Sequence, residues 1–117
     1  ILNEILNNLK PNKKKMLELA NLGYITATDL ADYLVKSHSM PFRKAYQKTA
    51  AIVNFAEKNN KKLDELTINE LRKIEPNLKT DVLKIFDLNN SINSKKSYGG
   101  TSFDNIKKMI VKYKKQL

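Results

Sequence analysis

The sequence predicts a small all-α domain of helix–turn–helix-like hairpins, with the end of a longer helix at its front. Three observations carry this. Apolar residues recur at i, i+3, i+4 spacing through most of the 117 residues, while no run alternates strictly for the length of a strand. Only 3 Gly and 3 Pro are present, too few for an all-β fold of tight turns. Hydrophobic residues make up 41% and charged residues 29%, the balance of a globular chain rather than a disordered one. No stretch approaches the ~18 consecutive apolar residues of a membrane-spanning helix.

The elements follow in order. Ile1, Leu2, Ile5, Leu6 and Leu9 form an opening helical stripe that starts in mid-pattern without a Met. This reads as a piece of a longer protein that begins inside a helix. Pro11 interrupts the stripe. A second helix fits Asn12 to Leu22, with Met16, Leu17, Leu19 and Ala20 on its apolar side and Gly23 as its C-terminal cap. Thr26 and Thr28 precede the acidic Asp29, an N-terminal signature. The helix that follows directs Leu30, Ala31, Leu34 and Val35 inward. Ser37 to Met40 connects it to the longest helix, which Pro41 opens from a first helical position. Its stripe is Phe42, Ala45, Tyr46, Thr49, Ile52, Val53 and Ala56.

Lys58 to Lys62 is a polar break, followed by Leu63 to Leu66. Thr67 and Glu70 then form a capping box in front of a short helix carrying Leu71 and Ile74, which ends before Pro76. Thr80 and Asp81 start another short helix with Val82, Leu83, Ile85 and Phe86. Asn89 to Gly100 reads as a polar loop ending in the Gly99–Gly100 turn. Thr101 or Ser102 caps the last helix, whose stripe is Phe103, Ile106, Ile110, Tyr113 and Leu117. That stripe reads as core.

Composition excludes several chemistries. There is no Cys, so disulfides, Cys-ligated zinc and thiol nucleophiles are absent. The one histidine, His38, cannot form a multi-His metal site. Formal net charge is +10, which can attract nucleic acid or anionic membrane. Yet Arg43 and Arg72 are the only arginines among the 22 basic residues. Arg is the usual tool for bidentate phosphate and guanine contacts, so the charge reads as a solvated lysine surface. No secretory signal pattern opens the chain.

No catalytic constellation stands out. Asp29 and Asp32 read as acidic residues placed at a helix start by its dipole. His38, between Ser37 and Ser39, reads as an exposed loop histidine, not as part of a triad. Ser97-Tyr98-Gly99-Gly100-Thr101-Ser102, with Lys95 and Lys96 before it, is the most distinctive segment. Its glycines could converge backbone N–H groups on an anion. It lacks the lysine a nucleotide P-loop carries after its glycines, and it reads as a tight turn into a hydroxyl cap.

Three blocks, in this order, resemble one family. They are Ala27-Thr28-Asp29-Leu30-Ala31-Asp32-Tyr33-Leu34-Val35, Pro41-Phe42-Arg43-Lys44-Ala45 and Ser97-Tyr98-Gly99-Gly100-Thr101. With the Met16-Leu17 helix in front, the chain resembles the C-terminal domain of argininosuccinate lyase, in the fumarase/aspartase superfamily. Many members have His at the position of Tyr46, Gly at that of Met40, and Arg near Lys95-Lys96. No ligand role is carried to those positions.

The resemblance implies a parent enzyme that splits argininosuccinate into arginine and fumarate by β-elimination, without metal or organic cofactor. It implies a cytoplasmic homotetramer around long central helices. Residues 1–10 would then end such a helix, and residues 11–117 would form the C-terminal domain. The family's serine base lies on a Gly-Ser-Ser-x-Met-Pro loop and its histidine lies upstream, and neither motif occurs here. No catalytic, cofactor-binding or metal-binding residue is therefore assigned, and the piece alone is expected to be inactive. Its partners would be the remaining domains and the other subunits, with no membrane and no nucleic acid. The alternative is a stand-alone basic helical module that binds nucleic acid or protein.

Overall fold

A computed structural model describes residues 1–116. The chain begins with α1 (Leu2–Asn8), α2 (Lys13–Ala20), α3 (Ala27–His38) and α4 (Phe42–Lys58). A 3₁₀ segment, Leu63–Glu65, leads to α5 (Ile68–Arg72). A second 3₁₀ segment, Thr80–Phe86, leads to α6 (Leu88–Ser94) and α7 (Phe103–Lys114). No strand occurs among the described residues, so the all-α class stands.

The core is built on the α3–α4 hairpin. Ser39, in the left-handed region at φ 49°, ends α3, and α4 starts at Phe42. So short a connection returns the chain antiparallel to itself. Leu30 and Leu34 of α3 meet Ala45, Ile52 and Ala56 of α4. Leu63, Leu66, Leu71, Leu78, Val82 and Phe86 complete the same cluster from the second half. Leu30, Leu34, Ile52 and Leu71 are fully buried, each contributing about 1.5–3 kcal/mol over an exposed side chain.

Polar groups fix the edges of this core. The Thr67 hydroxyl accepts from the Glu70 amide at 3.3 Å, and Glu70 Oε2 accepts from the Thr67 amide at 2.8 Å. The predicted capping box is therefore present. Arg72 Nε donates to the Leu78 carbonyl at 2.9 Å, closing the turn around Pro76. The buried Glu75 carboxylate is paired with Lys48 at 3.3 Å, and the same lysine donates to the Ile74 carbonyl at 2.9 Å. The two Lys48 contacts pin the 67–78 segment to α4.

Several expectations change. Pro41 stands just before α4 with ψ 137°, as its N-cap and not its first helical residue. Ser37 and His38 belong to α3, not to the connection. Thr26 is the N-cap of α3, but its side chain makes no capping bond. Residues 80–86 wind as a 3₁₀ helix, in which residues three apart eclipse; Val82 is buried and Ile85 half-buried as a result. Gly23 lies at φ 81°, two residues beyond the Asn21 cap of α2.

The predicted 89–100 loop is half helix. Asp87 Oδ1 accepts from the Asn90 amide at 2.8 Å and starts α6. Asn and Ser disfavour helix interiors because their side chains compete for backbone bonds. Here those side chains have other partners. Asn90 Nδ2 donates to the Lys84 carbonyl at 3.1 Å, and Ser91 Oγ donates to Asp29. Tertiary bonds override the local preference.

The largest departure concerns the ends. No residue of α1, α2 or α7 is buried. Phe103, Ile106, Ile110 and Tyr113 lie on one helical stripe, as predicted, but all are exposed rather than core. Leu117, the last position of that stripe, lies outside the described residues. The radius of gyration is 17.9 Å, against about 13 Å for a closely packed chain of this length. The α1–α2 arm and α7 stand away from a core that closes without them.

Candidate functional surface

The first two sequence blocks meet at α3, and the third follows a segment tied to it. The first block is α3 itself, the second opens α4, and the third is the turn before α7. One side of α3 joins α6 and its C-cap Lys95, just ahead of the third block. Asp29 Oδ1 is paired with Lys95 Nζ, and Asp29 Oδ2 accepts from Ser91 Oγ. Both carboxylate oxygens are thereby used. Asp32, one turn on, is exposed at the rim of this polar cleft. The cleft occupies about 310 Å³ and is also lined by Lys36, Lys84 and Ser94. Asp29 and Asp32 are thus not an acid–base pair: one is an anchor and the other faces solvent.

The other side of α3 joins the second block. Phe42 and Tyr46 are 64% and 63% exposed, with ring centroids 6.5 Å apart. The sequence placed both in the core stripe of α4. Instead they wall an apolar groove over Ala27, Thr28 and Ala31 of α3. Thr49 lies beneath, only 5% exposed, and its hydroxyl has no hydrogen-bond partner among the described residues. Arg43 is exposed beside them.

His38 is half-buried, which corrects its reading as an exposed loop residue. Its Nε2 lies 3.1 Å from the Asn77 carbonyl and must donate, because a carbonyl only accepts. Its Nδ1 is buried without a partner. The ring meets Tyr33 edge-on, with centroids 5.3 Å apart. Tyr33 in turn donates to Asp81 Oδ1 at 2.7 Å. Burial, helped by that carboxylate, pushes the Tyr33 phenol up to about 12. The group is a structural tie between α3 and the 80–86 segment. Neither Ser37 nor Ser39 is hydrogen-bonded to His38.

The 97–102 turn is closed from within. Gly99 takes φ 76°, and the Gly100 amide donates to the Ser97 carbonyl at 2.8 Å. Asn105 Nδ2 donates to that same carbonyl at 2.8 Å. Ser102, not Thr101, caps α7, accepting from the Asn105 amide at 3.4 Å. Lys95 faces Asp29 and not the turn, so it is not poised to meet an anion there. Tyr98 projects from the tip, fully exposed.

Glu70 carries the strongest carboxylate perturbation. The Lys61 ammonium, 2.6 Å from Oε1, is the main cause, and the Thr67 amide and hydroxyl add to it. Together they lower its carboxyl to about 2. This is a folding contact, spent on the α5 cap.

The arrangement offers no acid–base pair and no cluster of three metal-ligating side chains among the described residues. No helix is long and apolar enough to cross a membrane. What it presents are faces: an aromatic groove, an exposed tyrosine turn, and three apolar helices without partners. The residues that sequence reasoning missed are Ser91, Asn90 and the Tyr33–Asp81 pair. The Asp87 cap was the one local signal for the first two.

Comparison with known proteins places the chain in a family. Residues 24–93 match the family described as Argininosuccinate lyase C-terminal. That segment contains the whole buried apolar cluster, from Leu30 of α3 to Phe86. The chain is 78% identical over 115 residues to argininosuccinate lyase of Pelagibacter ubique, covering 98% of this chain and 25% of that protein. It is 46% identical over 110 residues to argininosuccinate lyase of a Nitratiruptor species, covering 94% and 24%. It is 44% identical over 117 residues to that of Campylobacter hominis, covering 100% and 25%. The chain spans about a quarter of the length of these curated relatives.

Proposed function

The chain belongs to the argininosuccinate lyase C-terminal family, and from that premise we propose that it is the non-catalytic C-terminal domain of such a lyase. The parent enzyme cleaves argininosuccinate to arginine and fumarate. In this β-elimination a base takes a proton from the carbon next to the carbon that bears the nitrogen. The C–N bond breaks, its electrons pass to nitrogen, and a C=C bond forms. The reaction needs a free base, an acid for the leaving nitrogen and cations for the substrate carboxylates. Asp29 and Glu70 are held by lysines, and the Nε2 of His38 is committed to the Asn77 carbonyl. On this reading the chemistry belongs to other parts of the enzyme.

The single observation that carries this reading is the contrast between core and ends. The core closes on its own, while α1, α2 and α7 leave every large apolar side chain exposed. Such unpartnered faces mark interaction surfaces. Residues 1–10 fit as the end of a long helix of the central domain, and residues 11–117 as the domain that packs against it. The partners are then the other domains and the other subunits of a cytoplasmic homotetramer.

The test is to sequence the reading frame upstream of Ile1 and express the whole of it. A frame several hundred residues longer, containing a Gly-Ser-Ser-x-Met-Pro loop and releasing fumarate from argininosuccinate, is the expected result. A frame that stops near Ile1 would overturn the reading, and salt-dependent binding to nucleic acid would be the next assay.

A further inference from the structure

We propose that Tyr98 and α7 form a docking groove for an acidic amphipathic helix from the rest of the lyase polypeptide. The proposal rests on the reading of this chain as one domain of that enzyme.

Tyr98 is 101% exposed, yet it does not hang from a slack loop. Three bonds hold its turn: Gly100 and Asn105 both donate to the Ser97 carbonyl, and the Ser102 amide donates to the Lys95 carbonyl at 3.2 Å. A fixed, solvated aromatic loses little conformational freedom on binding, which is why tyrosines anchor protein interfaces. Beside it runs a groove of about 330 Å³, lined by Tyr98, Asn105, Lys108, Met109, Lys112 and Tyr113. Next to Met109 lies the exposed stripe of Phe103, Ile106, Ile110 and Tyr113. At 3.6 residues per turn, Lys107 and Lys114 border one edge of this apolar stripe and Lys112 lies beyond Met109 at the other, while Lys108 lines the groove on the side away from the stripe.

Charge decides the occupant. None of these lysines is in an ion pair among the described residues. Asp104 is the only carboxylate in α7. A second copy of this chain would bring the same lysines and a net charge of +10, so self-packing is opposed. Nucleic acid would answer the lysines but leave the aliphatic stripe wet. A helix with an apolar stripe edged by Asp and Glu answers both, with the rim charges setting its orientation.

The experiment places the photo-crosslinking residue benzoylphenylalanine at Met109 in the full-length lyase. The expected product joins Met109 to a peptide of the same polypeptide that carries Asp or Glu beside apolar residues. In the Lys108→Glu/Lys112→Glu double variant the crosslink yield should fall about tenfold at low salt, and Lys108→Arg/Lys112→Arg should retain it. Circular dichroism checks that each variant is folded. A crosslink between two α7 peptides, a crosslink to an added oligonucleotide, or none at all would overturn the proposal. So would a yield indifferent to charge reversal. Fumarate release by the same preparation reports separately on the lyase reading.

Discussion

Lys95 is paired with Asp29 although 66 residues separate them in sequence. Asp29 lies in the first turn of α3, and Lys95 is the C-cap of α6. The contact joins the first sequence block to the end of α6, two residues ahead of the third, and sets where the Tyr98 turn leaves the core. Replacing Asp29 by Ala should cost about 1–2 kcal/mol, because Ser91 and Lys95 both lose their acceptor. A double-mutant cycle on Asp29 and Lys95 should give a coupling of about 0.5–1 kcal/mol by urea unfolding.

Glu70 makes stability depend on acid. Its folded carboxyl is lowered from 4.5 to about 2 by Lys61 and Thr67. A lowered folded value stabilises above the unfolded one and is lost as pH falls through the folded one. The loss should therefore run from about pH 4.5 down to 2. Glu70→Gln should flatten that part of the profile, measured as the urea midpoint across the range. Thr67→Ala should cost about 1 kcal/mol as a lost cap.

Gly100 is the tighter of the two turn glycines. A Cβ added there would stand 2.2 Å from the Lys95 carbonyl oxygen, a clash with backbone that cannot yield locally. A Cβ at Gly99 meets nothing within 4 Å, and the cost there is its φ of +76°. Gly99→Ala should cost about 1–2 kcal/mol. Gly100→Ala should cost more, and should shift the amide resonances of Ser102 and Asn105, whose cap depends on that turn.

Core and ends should respond oppositely to substitution. Leu34→Ala and Leu71→Ala open cavities in a fully buried cluster and should each cost about 2–5 kcal/mol. Ile5→Ser and Ile110→Ser alter exposed side chains and should stay within about 0.5 kcal/mol in this chain. In the full-length enzyme the same two changes should lower the melting temperature, because their partners are then present. Thermal unfolding of the four variants in both contexts reads this directly.

The sequence carried most of the architecture. The Thr67–Glu70 box, the α3 and α4 stripes and the Ser102 cap are local patterns, and each was legible because its partners lie within four residues. The 88–94 helix was not, because Asn90 and Ser91 are held by Lys84 and Asp29 rather than by their own propensity. Phe42 and Tyr46 have the spacing of core residues, but periodicity gives a face and not what covers it. The same limit applies to α7. His38 was misread for a related reason: its partners, Asn77 and Tyr33, come from the second half of the chain and from the preceding turn.

The most direct measurement is fumarate release from argininosuccinate by the purified 117-residue chain, beside the full-length enzyme under the same conditions. The account predicts turnover by the full-length enzyme and none above background by the chain alone. Turnover by the chain alone, abolished by a substitution within it, would contradict the account.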